Sequence, residues 1–293
     1  MAHSVRHELE RCLESIERHA GMPVQTVLVD NASTDGTVEW VRDAYPDVEV
    51  VPLDRNIGLA ARQPGIELAR GELAMFLDSD AVLLEGALPA MVEAMRAHPD
   101  WGLIGPRLVY DDGSLQLSCR RFPPPLLPWL RRPPLARLFD DSRLVRRHLM
   151  ADDGHSRARE VVYVLGACQL FRTSLARAAG PLADYFFWPD DADWCIRIRD
   201  AGGRVVYFPQ AAVVHSYRRM TSRSPLSRAA IRHLWGFYAF QWKYRRRRRE
   251  LERLGDRLDR EAASFDAGTR DAGGHVEGAV YPPGAPREPR AAR

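Results

Sequence analysis

The chain has 293 residues, of which 45% are apolar and 28% are charged, and its formal net charge is +3. A chain of this size can bury one large core or two modest ones. It contains neither a run of about 18 apolar residues nor an apolar signal segment, which argues against a spanning helix and a secretory signal and predicts a cytoplasmic location. The four cysteines follow no metal-ligand spacing, so we expect reduced, structural thiols.

The first 110 residues alternate between amphipathic helical patterns and short apolar runs. The sequence predicts helices near residues 5–16, 38–45, 57–69 and 88–95, and strands over 24–30, 48–54, 73–77 and 102–108. Strands that alternate with helices of about 10 to 15 residues are typical of βαβ units. We therefore predict an α/β fold with a mostly parallel sheet flanked by helices. The glycine-rich signatures of a dinucleotide fold and of a P-loop are absent.

The stretch LAMFLDSDA, residues 73–81, ends an apolar run in two carboxylates, Asp78 and Asp80. A buried strand that delivers two acids to its carboxyl end places them where open α/β sheets bind substrates. Such a pair suits a divalent cation and a diphosphate. An ordinary solvated turn has the same composition and is the alternative interpretation.

Residues 120–151 are rich in proline and arginine, which disfavours long regular elements and predicts a loop. This loop either covers a substrate or is a solvated connection. Beyond it, residues 161–171 indicate a strand interrupted by Gly166, and residues 204–216 indicate an extended run that contains His215. Between these strands, Asp190, Asp191 and Asp193 precede a helical pattern, where acids cap a helix and can also serve in catalysis.

The carboxyl-terminal part is strongly basic. Residues 228–249 contain eight lysines or arginines and no acid, interleaved with six aromatic residues. This composition favours either an interfacial helix on an anionic membrane surface or a helix whose aromatic residues pack on the rest of the protein. The last residues, 262–293, are rich in glycine, proline, alanine and charge, and we predict a disordered tail.

Six motifs in a fixed order resemble the family 2 glycosyltransferases, particularly the bacterial branch that transfers rhamnose-like sugars to cell-surface polysaccharides. The motifs are VLVDNASTDGT (27–37), the N-x-G of Asn56 with Gly65 and Ile66, GELAMFLDSDAVL (71–83), GACQLFR (166–172), FFWPDDADWCIRIRDAG (186–202) and VVYFPQAAVVHS (205–216). The resemblance implies a GT-A fold. It divides the chain into a catalytic domain over 1–222, a basic helical appendage over 223–261 and the tail. The nucleotide-binding half is then about 1–110 and the acceptor half about 160–222.

The resemblance implies a donor site and a metal site. Asp78 would contact the ribose or the water shell of the metal, and Asp80 would coordinate Mg²⁺ or Mn²⁺. Some relatives have a third metal ligand at the position of His215, although a lone histidine at this position also suits a packing role. The donor contacts implied in the amino-terminal half are Asp30, Asn31, Asp35, Asn56 and Arg62, for which a simple helix cap at 30–36 is the alternative.

The resemblance also implies a base and an acceptor site. Asp191 occupies the position of the catalytic base, and Asp190 replaces the glutamate usually found beside it. A positioned carboxylate that removes the proton of the attacking hydroxyl contributes roughly 10²–10⁴-fold. The implied acceptor contacts are Gly166, Ala167, Trp188, Asp193 and Trp194, with a core position as the alternative for the two tryptophans.

One departure from the family concerns its first strand. Relatives begin with an apolar strand before the first helix, whereas MAHSVRH contains no comparable run. We expect this strand to be missing from the sheet, with unpaired backbone groups beside it. A start site placed too far downstream, or a truncation, is our hypothesis for the departure.

These features predict an inverting, metal-dependent transferase of a sugar from a nucleotide-diphosphate donor to a glycan or lipid-linked acceptor. Thymidine-diphosphate rhamnose is the first choice of donor and a uridine-diphosphate sugar the second, by resemblance. The alternatives are a sugar nucleotidyltransferase, a nucleic-acid-binding protein that uses the arginine run, and an inactive relative. We expect no nucleic-acid partner, and peripheral attachment to the inner face of the cell membrane is a hypothesis for the basic segment.

Overall fold

The structure is a computed structural model that describes residues 1–132, 135–153, 155–186, 188–216 and 228–270. Its helices are α1 (Arg6–His19), α2 (Thr37–Ala44), α3 (Gln63–Leu68), α4 (Ala87–Ala97), α5 (Leu127–Leu130), α6 (Ala136–Phe139), α7 (Arg143–His148), α8 (Thr173–Ala178), α9 (Asp190–Asp200), α10 (Arg228–Lys243) and α11 (Arg248–Arg270), with 3₁₀ turns at Gly58–Arg62 and Ala151–Asp153. Its strands are β1 (Val27–Asp30), β2 (Glu49–Pro52), β3 (Leu73–Leu77), β4 (Ala81–Leu83), β5 (Trp101–Val109), β6 (Leu115–Gln116), β7 (Cys119–Arg120), β8 (Arg159–Glu160), β9 (Tyr163–Val164), β10 (Cys168–Arg172) and β11 (Arg204–His215).

A mixed sheet forms the centre of the molecule, in the order β3-β10-β5-β11-β4, with β6 added to β5 and β8 added to β11. The α/β class with flanking helices is confirmed, but the prediction of a mostly parallel sheet is wrong for this sheet. Only β5 and β11 pair in parallel, and its other pairs are antiparallel. Apolar runs give the same sequence signal in either direction, so direction depends on connections that the sequence pattern does not reveal.

A gap divides β1 and β2 from the central sheet. The two strands pair in parallel with each other, and the inner edge of β1 is bridged by Ala2, which pairs with Asp30 in parallel. A cavity of about 430 Å³ separates β1 from β3, and residues 26–29 and 70–77 line its two sides. Among the described residues no strand fills this space, as expected from the absent first-strand motif. The α-amino group of Met1 is buried beside it, and burial together with the Arg62 charge lowers its pKa.

Helices cover both faces of the central sheet. On one face α4 buries Met91 and Met95 against β5 and β11. On the other face α9 packs against the sheet through Trp194 and Ile198. The carboxyl ends of β3 and β11 and the start of α9 therefore remain at a common edge, where the predicted site residues lie.

The proline- and arginine-rich segment 120–151 folds into three short helices, α5, α6 and α7. It packs against α10, because Gln241 Nε2 donates to Pro123 O at 2.8 Å and Trp129 Nε1 donates to Tyr238 Oη at 2.6 Å. The described part of the segment thus packs against α10 and is not a purely solvated connection.

Helices α10 and α11 are integral to the fold. Phe237, Phe240 and Tyr244 of this region are buried, while Arg121 forms ion pairs with Asp256 and Asp259 of α11. Helix α11 continues to Arg270, so the predicted tail begins later than residue 262, and residues 271–293 lie outside the described residues, as do 223–227 of the predicted appendage. Within the described part of the chain, every helix is too short or too polar to cross a membrane.

Candidate active site

A tight turn between β3 and β4 carries the two acids of the D-x-D motif. Strand β3 is paired with β10 up to Leu77, and the next amide, that of Asp78, still donates to Ala167 O at 2.9 Å. The amide of Ala81 then closes the turn onto Asp78 O at 3.0 Å, and Ser216 N donates to Asp80 O at 3.0 Å. These backbone bonds fix both aspartates at the edge of the sheet.

His215 joins this turn as a third ligand-type residue. Its position is set by β11, where it pairs with Ala81 of β4. The ligand-type atoms of Asp78, Asp80 and His215 all lie within 4.8 Å of one another, and His215 Nε2 is 3.6 Å from Asp80 Oδ1. Its other ring nitrogen, Nδ1, is 2.7 Å from Gln116 Oε1. If Nδ1 carries the proton and donates to the amide oxygen, Nε2 keeps the lone pair that a metal needs.

The electrostatics of this group suit a cation. Burial, and then the negative charge of Asp78, raise the pKa of Asp80. Two carboxylates and an imidazole form a donor set that Mn²⁺ accepts readily and Mg²⁺ accepts less well, since Mg²⁺ prefers oxygen. The residues therefore fit a divalent metal ion, whose charge would relieve the repulsion between the two acids.

Arg62 connects the D-x-D turn to the acidic start of α9. Its guanidinium is buried, with Nη2 2.5 Å from Asp78 Oδ1 and Nη1 3.1 Å from Asp190 Oδ2. Although burial opposes ionisation, the Arg62 charge holds the pKa of Asp78 below its usual range. The two acidic groups predicted from distant parts of the sequence therefore face one another across a single arginine.

Asp190 and Asp191 occupy the first turn of α9, where Asp191 is buried and Asp190 keeps 18% of its side chain exposed. Burial raises the pKa of Asp190 to about 6. Burial and the adjacent Asp190 charge raise the pKa of Asp191 to about 8. Gly166 lies directly opposite, because a Cβ at this position would be 3.2 Å from Arg62 Nη1 and 3.5 Å from Asp191 Cβ. A larger residue at position 166 would push against both charged side chains.

The predicted donor residues are spread over two loops, and two of them touch. Asn31 Nδ2 donates to Asn56 Oδ1 at 3.0 Å, and Asn31 Oδ1 accepts from the amide of Ile57 at 2.9 Å. This pair builds the turn that leads into the 3₁₀ segment carrying Arg62. Asp30 is buried and accepts from the Ser33 amide at 2.9 Å, whereas Asp35 is exposed and hydrogen-bonds Thr37. The Thr37 hydrogen bond lowers the pKa of Asp35.

The sequence matches the family model described as "Glycosyl transferase family 2" over residues 2–178. This chain belongs to glycosyl transferase family 2. A curated relative, the N-acetylglucosaminyl-diphospho-decaprenol L-rhamnosyltransferase of Mycobacterium tuberculosis, is 29% identical over 246 residues, which cover 77% of each protein. The succinoglycan biosynthesis protein ExoO of Rhizobium meliloti is 38% identical over 95 residues, covering 31% of this chain and 27% of that protein.

Solved structures with a similar fold agree with this family. The mannosyltransferase PcManGT from Pyrobaculum calidifontis, in complex with GDP-Man and Mn²⁺, aligns with a TM-score of 0.56 at 20% identity over 94% of this chain and 74% of that chain. Residues 1–349 of S. aureus TarS align with a TM-score of 0.52 at 17% identity over 73% of this chain and 58% of that chain. The glycosyltransferase described here therefore has the GT-A fold.

On the acceptor side, the structure separates the predicted contacts of this glycosyltransferase into two groups. Gly166 faces Arg62 and Asp191, and the buried Ala167 holds the Asp78 amide through its carbonyl. These two residues border the site. Trp188 lies just before α9 and stacks on Phe237, with ring centroids 4.9 Å apart.

The other two acceptor predictions point into the core. Trp194 is 2% exposed and packs against Phe76 and Phe171, so its ring faces are covered by protein. Asp193 is 1% exposed and accepts hydrogen bonds from Tyr185 and Tyr244. Helical spacing turns these positions inward, and the placement favours a packing role for both.

Sequence reasoning missed Gln116 and Arg120. Gln116 orients His215, and Arg120 is buried on β7 near Asp191, where its charge opposes the rise in the pKa of Asp191. Neither residue stands in a motif. The available signal for Arg120 was an arginine pair at the start of the proline-rich segment, and this pair resembled the other arginines of that segment.

Proposed function

We propose that this family 2 glycosyltransferase transfers a sugar, with inversion, from a nucleotide-diphosphate donor to a lipid-linked acceptor in cell-surface polysaccharide synthesis. The observation that carries the proposal is the contact of Arg62 with both Asp78 and Asp190. It supports the proposal because it brings the D-x-D turn, our candidate for the metal and diphosphate site, close to the acidic start of α9, our candidate for the base. A single displacement needs both on the two sides of one anomeric carbon.

We propose that Asp80 and His215, with Asp78 beside them, hold Mn²⁺ or Mg²⁺ together with the donor diphosphate. When bound, the cation offsets the negative charge that develops on the departing nucleoside diphosphate. The structure of PcManGT contains Mn²⁺ together with GDP-Man, which supports this ion class. Arg62 would add a fixed positive charge near the same phosphates.

Asp191 is the base in this proposal. It lies beside Gly166, where the missing side chain allows the backbone to approach Asp191 closely, and its raised pKa makes it a stronger base than an ordinary carboxylate. Asp190 is committed to Arg62 and so positions the charges around Asp191. Asp30, Asn31, Asp35 and Asn56 would form the nucleotide end of the donor site.

The mycobacterial relative guides the choice of substrates. Its name specifies an L-rhamnosyl transfer to an N-acetylglucosaminyl diphospho-polyprenol. We propose thymidine-diphosphate rhamnose as donor and a sugar carried on a polyprenyl diphosphate as acceptor. The test is product formation from purified full-length protein with this donor, or with a uridine-diphosphate sugar, in the presence of Mn²⁺. Release of nucleoside diphosphate with a glycosylated lipid product supports the proposal, and absence of transfer from both donors contradicts it.

An exposed apolar surface supports attachment to a membrane, where such an acceptor resides. Of the twelve large apolar side chains exposed in the described residues, ten lie in segments 126–144 and 231–242, including Trp235 at 65% and Trp242 at 66% exposure. Segments 120–149 and 228–249 each contain eight lysine or arginine residues, and together they contain only two acids, Asp140 and Asp141. Aromatic and apolar side chains among arginines suit an anionic bilayer surface.

Vesicle co-sedimentation tests this membrane proposal. The double variant L138S/W235S removes two exposed apolar side chains of this surface, and V24S/L68S removes the two that lie outside it. We expect the first variant to lose binding to vesicles that contain phosphatidylglycerol and the second to bind like the unmodified protein. Equal binding of both variants, or no binding of the unmodified protein at low salt, would contradict membrane attachment.

A further inference from the structure

Arg120 is a buried arginine without an acidic partner. It is 8% exposed, and its hydrogen bond in the described structure runs from Nη1 to the carbonyl of Cys119 at 3.0 Å. Among the described residues no carboxylate forms an ion pair with it, whereas the equally buried Arg62 contacts two acids. The exposure of 8% leaves the side chain a small contact with solvent. A buried cation in this state is a site for an anion.

The surroundings of Arg120 reinforce its positive charge. Arg131 lies near enough for its charge to act with burial in lowering the pKa of Arg120. His148 does not supply a counter-charge, because burial and the charges of Arg120 and Arg131 hold its pKa well below the usual value and keep it neutral. The hydroxyl of Tyr163, across the β7–β9 pair from Arg120, lies 3.4 Å from His148 Nε2. Neutral and cationic groups thus surround the guanidinium on this side.

The position of Arg120 is on the acceptor side of the active site. Strand β9, its pairing partner, leads within two residues to Gly166, which faces Asp191. Arg62 contacts Asp78 and Asp190 directly, while the charge of Arg120 acts on Asp191. The D-x-D turn therefore has an arginine of its own. The guanidinium of Arg120 is left for an anion that approaches from the side of the attacking hydroxyl.

We infer that Arg120 binds the phosphate by which the acceptor sugar is attached to its carrier. This inference rests on the proposed function and specifies its acceptor as a sugar phosphate or diphosphate ester rather than a neutral glycan. A guanidinium binds phosphate oxygens through paired N–H donors, which a lysine reproduces only as a point charge. The same contact would place the sugar hydroxyl toward Asp191.

Steady-state kinetics with two acceptors test the inference. One acceptor is N-acetylglucosamine on a short prenyl diphosphate, and the other carries the same sugar on a neutral alkyl alcohol. For Arg120→Met we expect the KM for the diphosphate acceptor to rise at least about 10-fold, with the KM for the donor within about 2-fold of normal. Because Arg120 also opposes the rise in the pKa of Asp191, the two proteins are compared at a pH where Asp191 is deprotonated in both, and there the neutral acceptor should react equally well with each. Arg120→Lys should recover part of the loss, and Arg253→Met, an exposed arginine of α11, serves as the control.

Other outcomes overturn the inference in distinguishable ways. A rise in the donor KM would assign Arg120 to the donor diphosphate, and equal losses with both acceptors would assign it a structural role. Binding of the prenyl diphosphate alone, measured by calorimetry, reports on the site without turnover, so it remains informative if neither acceptor reacts and the proposed function fails. Unchanged binding in Arg120→Lys and Arg120→Met would refute the anion site. Thermal unfolding of each variant checks that it folds.

Discussion

Arg62 Nη1 lies 3.1 Å from Asp190 Oδ2, although 128 residues separate the two positions in the chain. The contact joins the segment before β3 to the first turn of α9, which are brought together by the pairing of β3 with β10. Because the same guanidinium also contacts Asp78, the electrostatic states of the D-x-D turn and of the first turn of α9 are coupled through one residue.

Replacing Arg62 tests this coupling. In Arg62→Met the carboxylates of Asp78 and Asp190 lose their shared counter-charge, and we expect kcat/KM to fall by about 100-fold or more. The measurement is product formation at saturating metal. Arg70→Met is the matched control, because Arg70 is exposed and forms only a long surface ion pair with Glu49. Equal activity of the two variants would show that the bridge is not needed.

Removing the Asp191 carboxylate should lower the activity and raise the thermal stability. In Asp191→Asn we expect transfer to fall by roughly 10²–10⁴-fold, because the hydroxyl proton loses its acceptor. The pKa of Asp191 in the folded state is about 8, which lies above its value in the unfolded state. Ionisation of this carboxyl therefore lowers the free energy of unfolding progressively as the pH rises toward and through 8. The variant should therefore have a higher Tm than the unmodified protein at pH 8.5. Asp43→Asn, on the exposed face of α2, is the control, and a lower Tm for Asp191→Asn would contradict this reasoning.

The same pKa predicts the pH profile of the reaction. The base acts in its deprotonated form, so kcat/KM should rise with pH through about 8 and level off above it. In Asp190→Asn the neighbouring negative charge is gone, and the inflection should move to lower pH even though the rate falls through loss of the Arg62 contact. A profile that falls with pH between 6 and 9 would exclude Asp191 as the base.

Gln116 provides a test of the metal site that leaves its ligands unchanged. Gln116→Leu removes the amide oxygen 2.7 Å from His215 Nδ1, which frees the ring to rotate or change tautomer. We expect the affinity for Mn²⁺ to fall about 10–100-fold. Thermal-shift titration with Mn²⁺ measures this directly. Gln25→Leu, which removes a surface amide near Glu49, should titrate like the unmodified protein; an unchanged midpoint for Gln116→Leu would remove His215 from the ligand set.

The sequence motifs predicted the acidic residues and the histidine of the candidate site. They did not predict Gln116 and Arg120, which the fold brings close to those residues. Asp78, Asp80 and His215 could be placed together through the resemblance to the family, which implies that all three lie at one metal site. Trp194 and Asp193 follow Asp190 and Asp191 in sequence, yet helical rotation turns them into the core. Gln116 and Arg120 became visible only in three dimensions, since they sit on two-residue strands with no periodic signal. Strand direction was equally hidden, because it depends on how loops route the chain.

The cavity between β1 and β3 leads to a prediction about stability. Its two walls are strand edges, and the parallel bridge from Ala2 to Asp30 gives the direction in which a further strand would pair with β1. A fused segment of six alternating valine and threonine residues before Met1 would satisfy unpaired backbone groups and replace the buried α-amino group by a peptide bond. We expect Tm to rise by at least about 4 °C, corresponding to about 1–2 kcal/mol for a chain of this size.

A six-residue glycine and serine extension is the control, because it has the same length but little tendency to form a strand. Hydrogen exchange should show new protection in β1 and β3 only with the first extension, and identical melting curves for both would show that the cavity does not accept a strand.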